Sequence, residues 1–278
     1  MMKLVKYIVL SVAILVMTIG MISSLRESAF VRETRVFDAE KFKEMKYTDH
    51  ELVLFCDVAF MSEDTRIRKW RKDIKVEIRN IDKLDRKTIA EVDSLIAVLA
   101  PLVAPLKMER VYSGGNLLVH RRVKDIIPTR TKHLPHSVCI NGMTTIGARA
   151  SYSWAIDSAS IYDCHHADPQ TLLHEFQHAL GLAHPVRLYP YYVTIGRSVI
   201  PQYLRSQKET QAYLRQPFYL SEEEKSVIKM LYSPQVRSGL HIETFLKKMG
   251  FSEDEKFWLI PEVSKRRAVV IYPSPCRH

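Results

Sequence analysis

The chain has 278 residues, 46% of them hydrophobic and 26% charged, a balance that excludes a disordered or fibrous protein. Its 41 basic and 31 acidic residues give a formal charge of +10. The basic residues are spread out, with short clusters at Arg66, Arg68, Lys69, Arg71 and Lys72 and at Arg121, Arg122 and Lys124; this pattern reads as a solvated basic surface or one drawn to an anionic partner, and no nucleic-acid-binding module is recognisable.

The first feature along the chain is an uncharged run of 19 residues, Tyr7 to Leu25, behind Lys3 and Lys6. As a helix it would reach about 28 Å, close to the ~30 Å bilayer core. Lysines before an apolar run favour a cytoplasmic N-terminus. The expectation for 1–25 is a transmembrane signal anchor or a cleaved signal peptide. Both place residues 30–278 outside the cytoplasm, membrane-anchored in the first case and secreted in the second. Four cysteines, Cys56, Cys139, Cys164 and Cys276, fit that route. They allow three pairings, among which the sequence does not choose; for Cys164, pairing with Cys139 is preferred to a role as a ligand.

Residues 26–50 mix charges of both signs and read as a tether or short helix. A strand is predicted at Leu52–Cys56. Ile74, Val76 and Ile78 alternate with charged residues, the period of a half-buried strand. Between 86 and 99, Ile89, Val92, Leu95, Ile96 and Leu99 fall on one helical face, before Pro101 and Pro105 interrupt the pattern. Gly114-Gly115 turns the chain into a short strand, Asn116 to His120, and residues 147–162 read as extended. Strands and helices in this order predict an α+β fold with a mixed sheet.

The chemistry is concentrated at 174–184, His-Glu-Phe-Gln-His-Ala-Leu-Gly-Leu-Ala-His. Asp168 and Pro169 suit the start of a helix, and Gly181 suits its end. His174 and His178, four apart, project from one face of that helix. Both can reach one Zn²⁺ at roughly 2.0–2.1 Å, and His184 returns after the Gly181 turn as a third ligand. The fourth position stays open for water, whose pKa zinc lowers toward ~7. Glu175, beside the ligand face, is the candidate general base and later the proton donor to the leaving amine. The motif fixes five residues in eleven positions, which makes accidental agreement rare.

HExxHxxGxxH is the motif of the metzincin zinc peptidases, and His178 to His184 resembles matrixins and serralysins in particular. The resemblance implies a catalytic domain with a mixed twisted sheet, a long zinc-binding helix and a C-terminal helix. It also implies a cleft edge strand just before the zinc helix, here Ala148 to Ile161, on which a polypeptide substrate pairs as an added strand. The matrixin-like terminal helix corresponds to the segment after Leu220, where Ser221 and Glu224 have capping-box spacing. Metzincins carry a methionine in a turn beneath the zinc, and this sequence has none between His184 and Met230. Leu188 or Ile200 stands in its place, and either keeps an apolar floor. Tyr203, three residues after Ile200, is an inexact match to the family's transition-state tyrosine. His165 and His166 read as a polar loop rather than further ligands.

The resulting organisation is an anchor or signal over 1–25, a tether over 26–50, a metzincin-like zinc peptidase domain over 51–235 and an extension over 236–278. In the extension, Ile242 to Met249 is predicted as a short helix stopped by Gly250, and Ala268 to Tyr272 as a strand. The expected function is a zinc endopeptidase. The alternative is a zinc-bearing module that holds polypeptides without cutting them. Nothing in the sequence specifies an oligomeric state.

Overall fold

The computed structural model describes residues 11–22, 24, 37–60, 65–79, 85–123, 142–147, 154–164, 169–185, 194–195, 218–254 and 259. The chain divides into two units, residues 1–36 and 37–278. In the first, residues 11–22 are helical with exposed apolar side chains such as Leu15, Val16 and Ile19. No helix among the described residues is long and apolar enough to cross a membrane. Most of the remaining residues of the expected anchor lie outside the described set.

The second unit is α+β. Its elements are α1 (Ala39–Lys43), α2 (Asp49–Ala59), β1 (Lys69–Trp70), β2 (Ile74–Arg79), α3 (Arg86–Leu99), β3 (Met108–Val111), β4 (Leu117–Val123), β5 (Gly142–Gly147), β6 (Ala155–Ile156), β7 (Ser158–Cys164), α4 (Pro169–Ala179), α5 (Glu222–Tyr232) and α6 (Ile242–Met249). Five strands form a mixed sheet in the order β3-β2-β4-β7-β5. All neighbours are parallel except β5, which runs antiparallel to β7. Strands β1 and β6 make a separate parallel pair.

Two expectations are corrected here. Leu52–Cys56 is helical, inside α2. Thr48 and Glu51 form a reciprocal capping box at its start, which satisfies two orphan N–H groups and favours a helix. Almost every later residue of α2 is buried, so the apolar run carries no visible helical period. The second correction concerns the edge strand. Residues 158–164 lie inside the sheet, between β4 and β5, and among the described residues the outer strand on that side is β5, Gly142–Gly147. Ala159, Ile161 and Asp163 of β7 are all buried, whereas Thr145 and Ile146 of β5 are exposed, as suits an interior and an edge strand respectively.

The strand at 74–79, the helix at 86–99, the strand from 117 and the helix after Ser221 stand where the sequence predicts them. Ser221 and Glu224 make the predicted capping box. The helix Ile242–Met249 ends on Gly250 at φ 86°, a left-handed conformation open to glycine at little cost.

The core is one continuous cluster that includes residues from α1 through α6. Phe37 and Phe42, in the region read as a tether, and Phe245, in the region read as an extension, belong to it. Phe245 contacts Phe42 at 5.4 Å, Phe55 at 5.6 Å and Phe60 at 5.4 Å between ring centroids, and it is fully buried. Phe245→Ala is therefore expected to cost about 3–5 kcal/mol, read as a lowered midpoint in urea unfolding. A variant as stable as wild type would mean that α6 is an independent appendage.

Candidate metal centre

The site is built on α4. Pro169 opens the helix, and buried Leu172, Leu173, Phe176, Ala179 and Leu180 line its inner face, with β5 and β7 packed beside the helix. Its C-terminal carbonyls are held from two sides: Trp70 Nε1 donates to Ala179 O at 2.8 Å and the Tyr232 hydroxyl to Leu180 O at 3.0 Å. Gly181 sits at φ 101°, and a Cβ there would overlap the Arg68 carbonyl. Only glycine meets both conditions. The chain then docks on α2 through Ala183 N–H to Val58 O, 2.9 Å. That bond delivers His184.

The three histidines converge. Their Nε2 atoms lie 3.0 Å (His174–His178), 3.2 Å (His178–His184) and 3.0 Å (His174–His184) apart. Two nitrogens on one tetrahedral Zn²⁺ stand about 3.3–3.4 Å apart, so the observed spacings agree to a few tenths of an ångström.

The outer ring nitrogens decide the tautomers. His174 Nδ1 is 2.7 Å from Thr194 O, and His178 Nδ1 is 2.8 Å from Leu182 O. A carbonyl oxygen only accepts, so each Nδ1 carries a proton and donates it. In neutral rings each Nε2 then presents a lone pair to the centre. Two acceptors 3.0 Å apart cannot bond to one another. Protonation is an unfavourable remedy: burial lowers the His174 pKa, and burial with the neighbouring His174 and His184 holds His178 well below its usual value. A cation resolves the conflict, and hydrogen-bonded outer nitrogens are what metal-bound histidines ordinarily show. The donor set therefore fits Zn²⁺.

Glu175 points from α4 toward β5 and is 5% exposed. Thr144 Oγ1 lies 2.6 Å from its Oε2 and 2.9 Å from its backbone carbonyl, donating to one of them at a time. The Glu175 side chain also fills the space beside Gly142, where a Cβ would lie 2.5 Å from Oε1. Burial pushes the carboxyl up to about 7, with Thr144 acting against the rise and Asp163 adding to it. A cation held by the adjacent imidazoles would lower it again.

No local sequence signal marks Thr144 as part of the site. Thr144→Val removes the donor and keeps the shape. With Glu175 ionised, the lost bond to a charged group is expected to cost about 1.5–3 kcal/mol, measured by chemical denaturation against wild type at the same pH.

His165, His166, Leu188, Ile200 and Tyr203 lie outside the described residues, as does Asp168. Among the described residues, the His174–His178–His184 group alone has three ligand atoms close enough to hold a metal ion. The chain matches no protein-family model and no curated protein at a significant level.

Proposed function

We propose that this protein is a zinc endopeptidase of metzincin type, with Zn²⁺ on His174, His178 and His184 and proton transfer through Glu175. The observation that carries it is the convergence of the three Nε2 atoms, two of them aprotic by the hydrogen bonds of their own rings. When bound there, Zn²⁺ supplies a Lewis acid that polarises a carbonyl and acidifies water.

The chain's own residues supply the rest. Glu175 accepts a proton from the attacking water as its oxygen bonds to the peptide carbonyl carbon. The same carboxyl then delivers that proton to the amide nitrogen as the C–N bond breaks, leaving a carboxylic acid and an amine. Thr144 fixes the carboxylate's direction. Among the described residues β5 is an outer strand of the sheet, with β7 on one side and no strand on the other, and an extended polypeptide suits such an edge. Its nearness to Glu175 supports peptide cleavage over the other reactions of a three-histidine zinc site.

The second reading is a zinc-bearing module that captures polypeptides on β5 without cutting. The deep burial of Glu175 against β5 favours it. For placement, the uncharged run from Tyr7 to Leu25 behind two lysines supports an extracytoplasmic location.

The test is a proteome-wide cleavage-site screen with the purified full chain and its Glu175→Gln variant. New termini that need zinc and are absent with the variant are the expected result. Zinc-loaded wild type that captures peptides and yields no new termini would select the binding module.

A further inference from the structure

Between Pro185 and Phe218, Thr194 and Ile195 are described, and both are buried. They form the turn whose first carbonyl, Thr194 O, accepts the His174 Nδ1–H at 2.7 Å. Something must hold that carbonyl in place, since a histidine's ring angle is only as fixed as its outer partner.

The holder is Glu224 in the first turn of α5. Its Oε1 accepts from Ile195 N–H at 3.1 Å. Its Oε2 faces the Ser221 N–H and hydroxyl, each at 3.3 Å, in the capping box. One carboxylate thus caps its own helix with one oxygen and restrains a distant turn with the other. Glu224 is 1% exposed. A carboxylate buried so deeply is costly unless its acceptor sites are filled, and here they are filled by the turn and the helix start together. The Thr194 hydroxyl adds a second tie, donating to Tyr219 O at 3.0 Å.

We propose that Glu224 is a positioning residue of the metal centre, acting on His174 through the Ile195 N–H and the Thr194 carbonyl. It touches neither metal nor substrate. Its effect is to keep the His174 ring turned, and its proton on Nδ1, so that Nε2 faces the centre. This rests on the zinc centre proposed above and deepens it.

The test compares the full chain with Glu224→Ala, Glu224→Gln and Ser221→Ala. Zinc affinity is measured by competition with a chromophoric chelator, and the His174 tautomer by ¹⁵N chemical shifts of the metal-free protein. Loss of an outer-sphere partner typically weakens metal affinity about 10–100-fold, and that loss is expected for Glu224→Ala. The His174 proton should then redistribute toward Nε2. Glu224→Gln keeps the volume and a carbonyl oxygen for Ile195 N–H, so its affinity should return to within about threefold of wild type. Ser221→Ala damages the same helix cap and leaves the Ile195 bond, so it should lower the melting temperature without weakening zinc by more than about threefold.

Zinc affinity unchanged in Glu224→Ala overturns the proposal. Equal weakening by Ser221→Ala also overturns it, because helix capping would then be the cause. If Glu224→Ala does not fold, Glu224→Gln with a wild-type tautomer and affinity supports the role, and a Gln variant that folds but loses zinc overturns it. Wild type that binds no zinc defeats the metal centre itself, while the His174 tautomer still reports on the Glu224 link.

Discussion

His178→Ala is expected to abolish stoichiometric zinc. Of the three histidines His178 is tied to both others: its Nε2 lies 3.0 Å from that of His174 and 3.2 Å from that of His184, and its Nδ1 donates to Leu182 O in the turn that leads to His184. Removing it leaves two imidazoles, and two neutral ligands do not make the tetrahedral protein site that holds zinc tightly. The same deletion relieves the conflict between the two facing lone pairs of His174 and His178, so the metal-free variant should be about as stable as metal-free wild type. The two effects separate cleanly: zinc content by elemental analysis should fall to background, while metal-free melting temperatures stay close. Wild type should gain thermal stability on zinc addition by mass action, and His178→Ala should not. Equal zinc per chain in wild type and in the variant lacking all three histidines would eliminate the site.

Much of the site could be read from the sequence because its parts are local. His174, His178 and Gly181 act within one helix and its stop, so spacing alone places two of the three converging imidazoles on one face and turns the chain at the right residue. The helix starting after Ser221 and the short helix ending at Gly250 were legible for the same reason, a cap at one end and a left-handed glycine at the other.

What could not be read depends on contacts between distant segments. The α2 run Leu52–Cys56 is apolar on nearly every side because the core surrounds it, and a helix with no polar face looks like a strand over so few residues. The position of His184 rests on Val58 O of that same helix, and no pattern near 184 reveals it. The expected edge strand lies directly before α4, yet β5 precedes β7 in sequence and lies outside it in the sheet. Sequence order says which strands exist, but order across a sheet is set by crossovers. Thr144 and Glu224 follow the same rule. One looks like an ordinary strand threonine and the other like a capping glutamate, which it also is.

Glu175→Gln is expected to stop hydrolysis while leaving zinc, fold and peptide affinity in place. Gln matches Glu in size, and its amide can still take up the hydrogen bond from Thr144 Oγ1 through its carbonyl oxygen. It is a good helix former, so α4 should persist. It cannot accept the proton that peptide hydrolysis must shed. Proton transfer by a positioned side chain typically contributes about 10²–10⁴-fold, so kcat should fall by at least that much. KM should move little, because the edge strand and the three histidines are untouched. Zinc content must also stay at the wild-type value, since the Glu175 carboxylate is engaged by β5 and is not counted among the ligands. A variant that loses zinc would make Glu175 a ligand and contradict its assigned role. A variant that cuts within about tenfold of wild type would show that another group moves the proton, because the loss would fall below the range for a general base. The burial of this carboxylate sharpens the experiment. Neutralising a group held at 5% exposure should, if anything, raise stability, so a gain in melting temperature together with a collapse of kcat would mark Glu175 as a residue kept for chemistry at a cost to the fold.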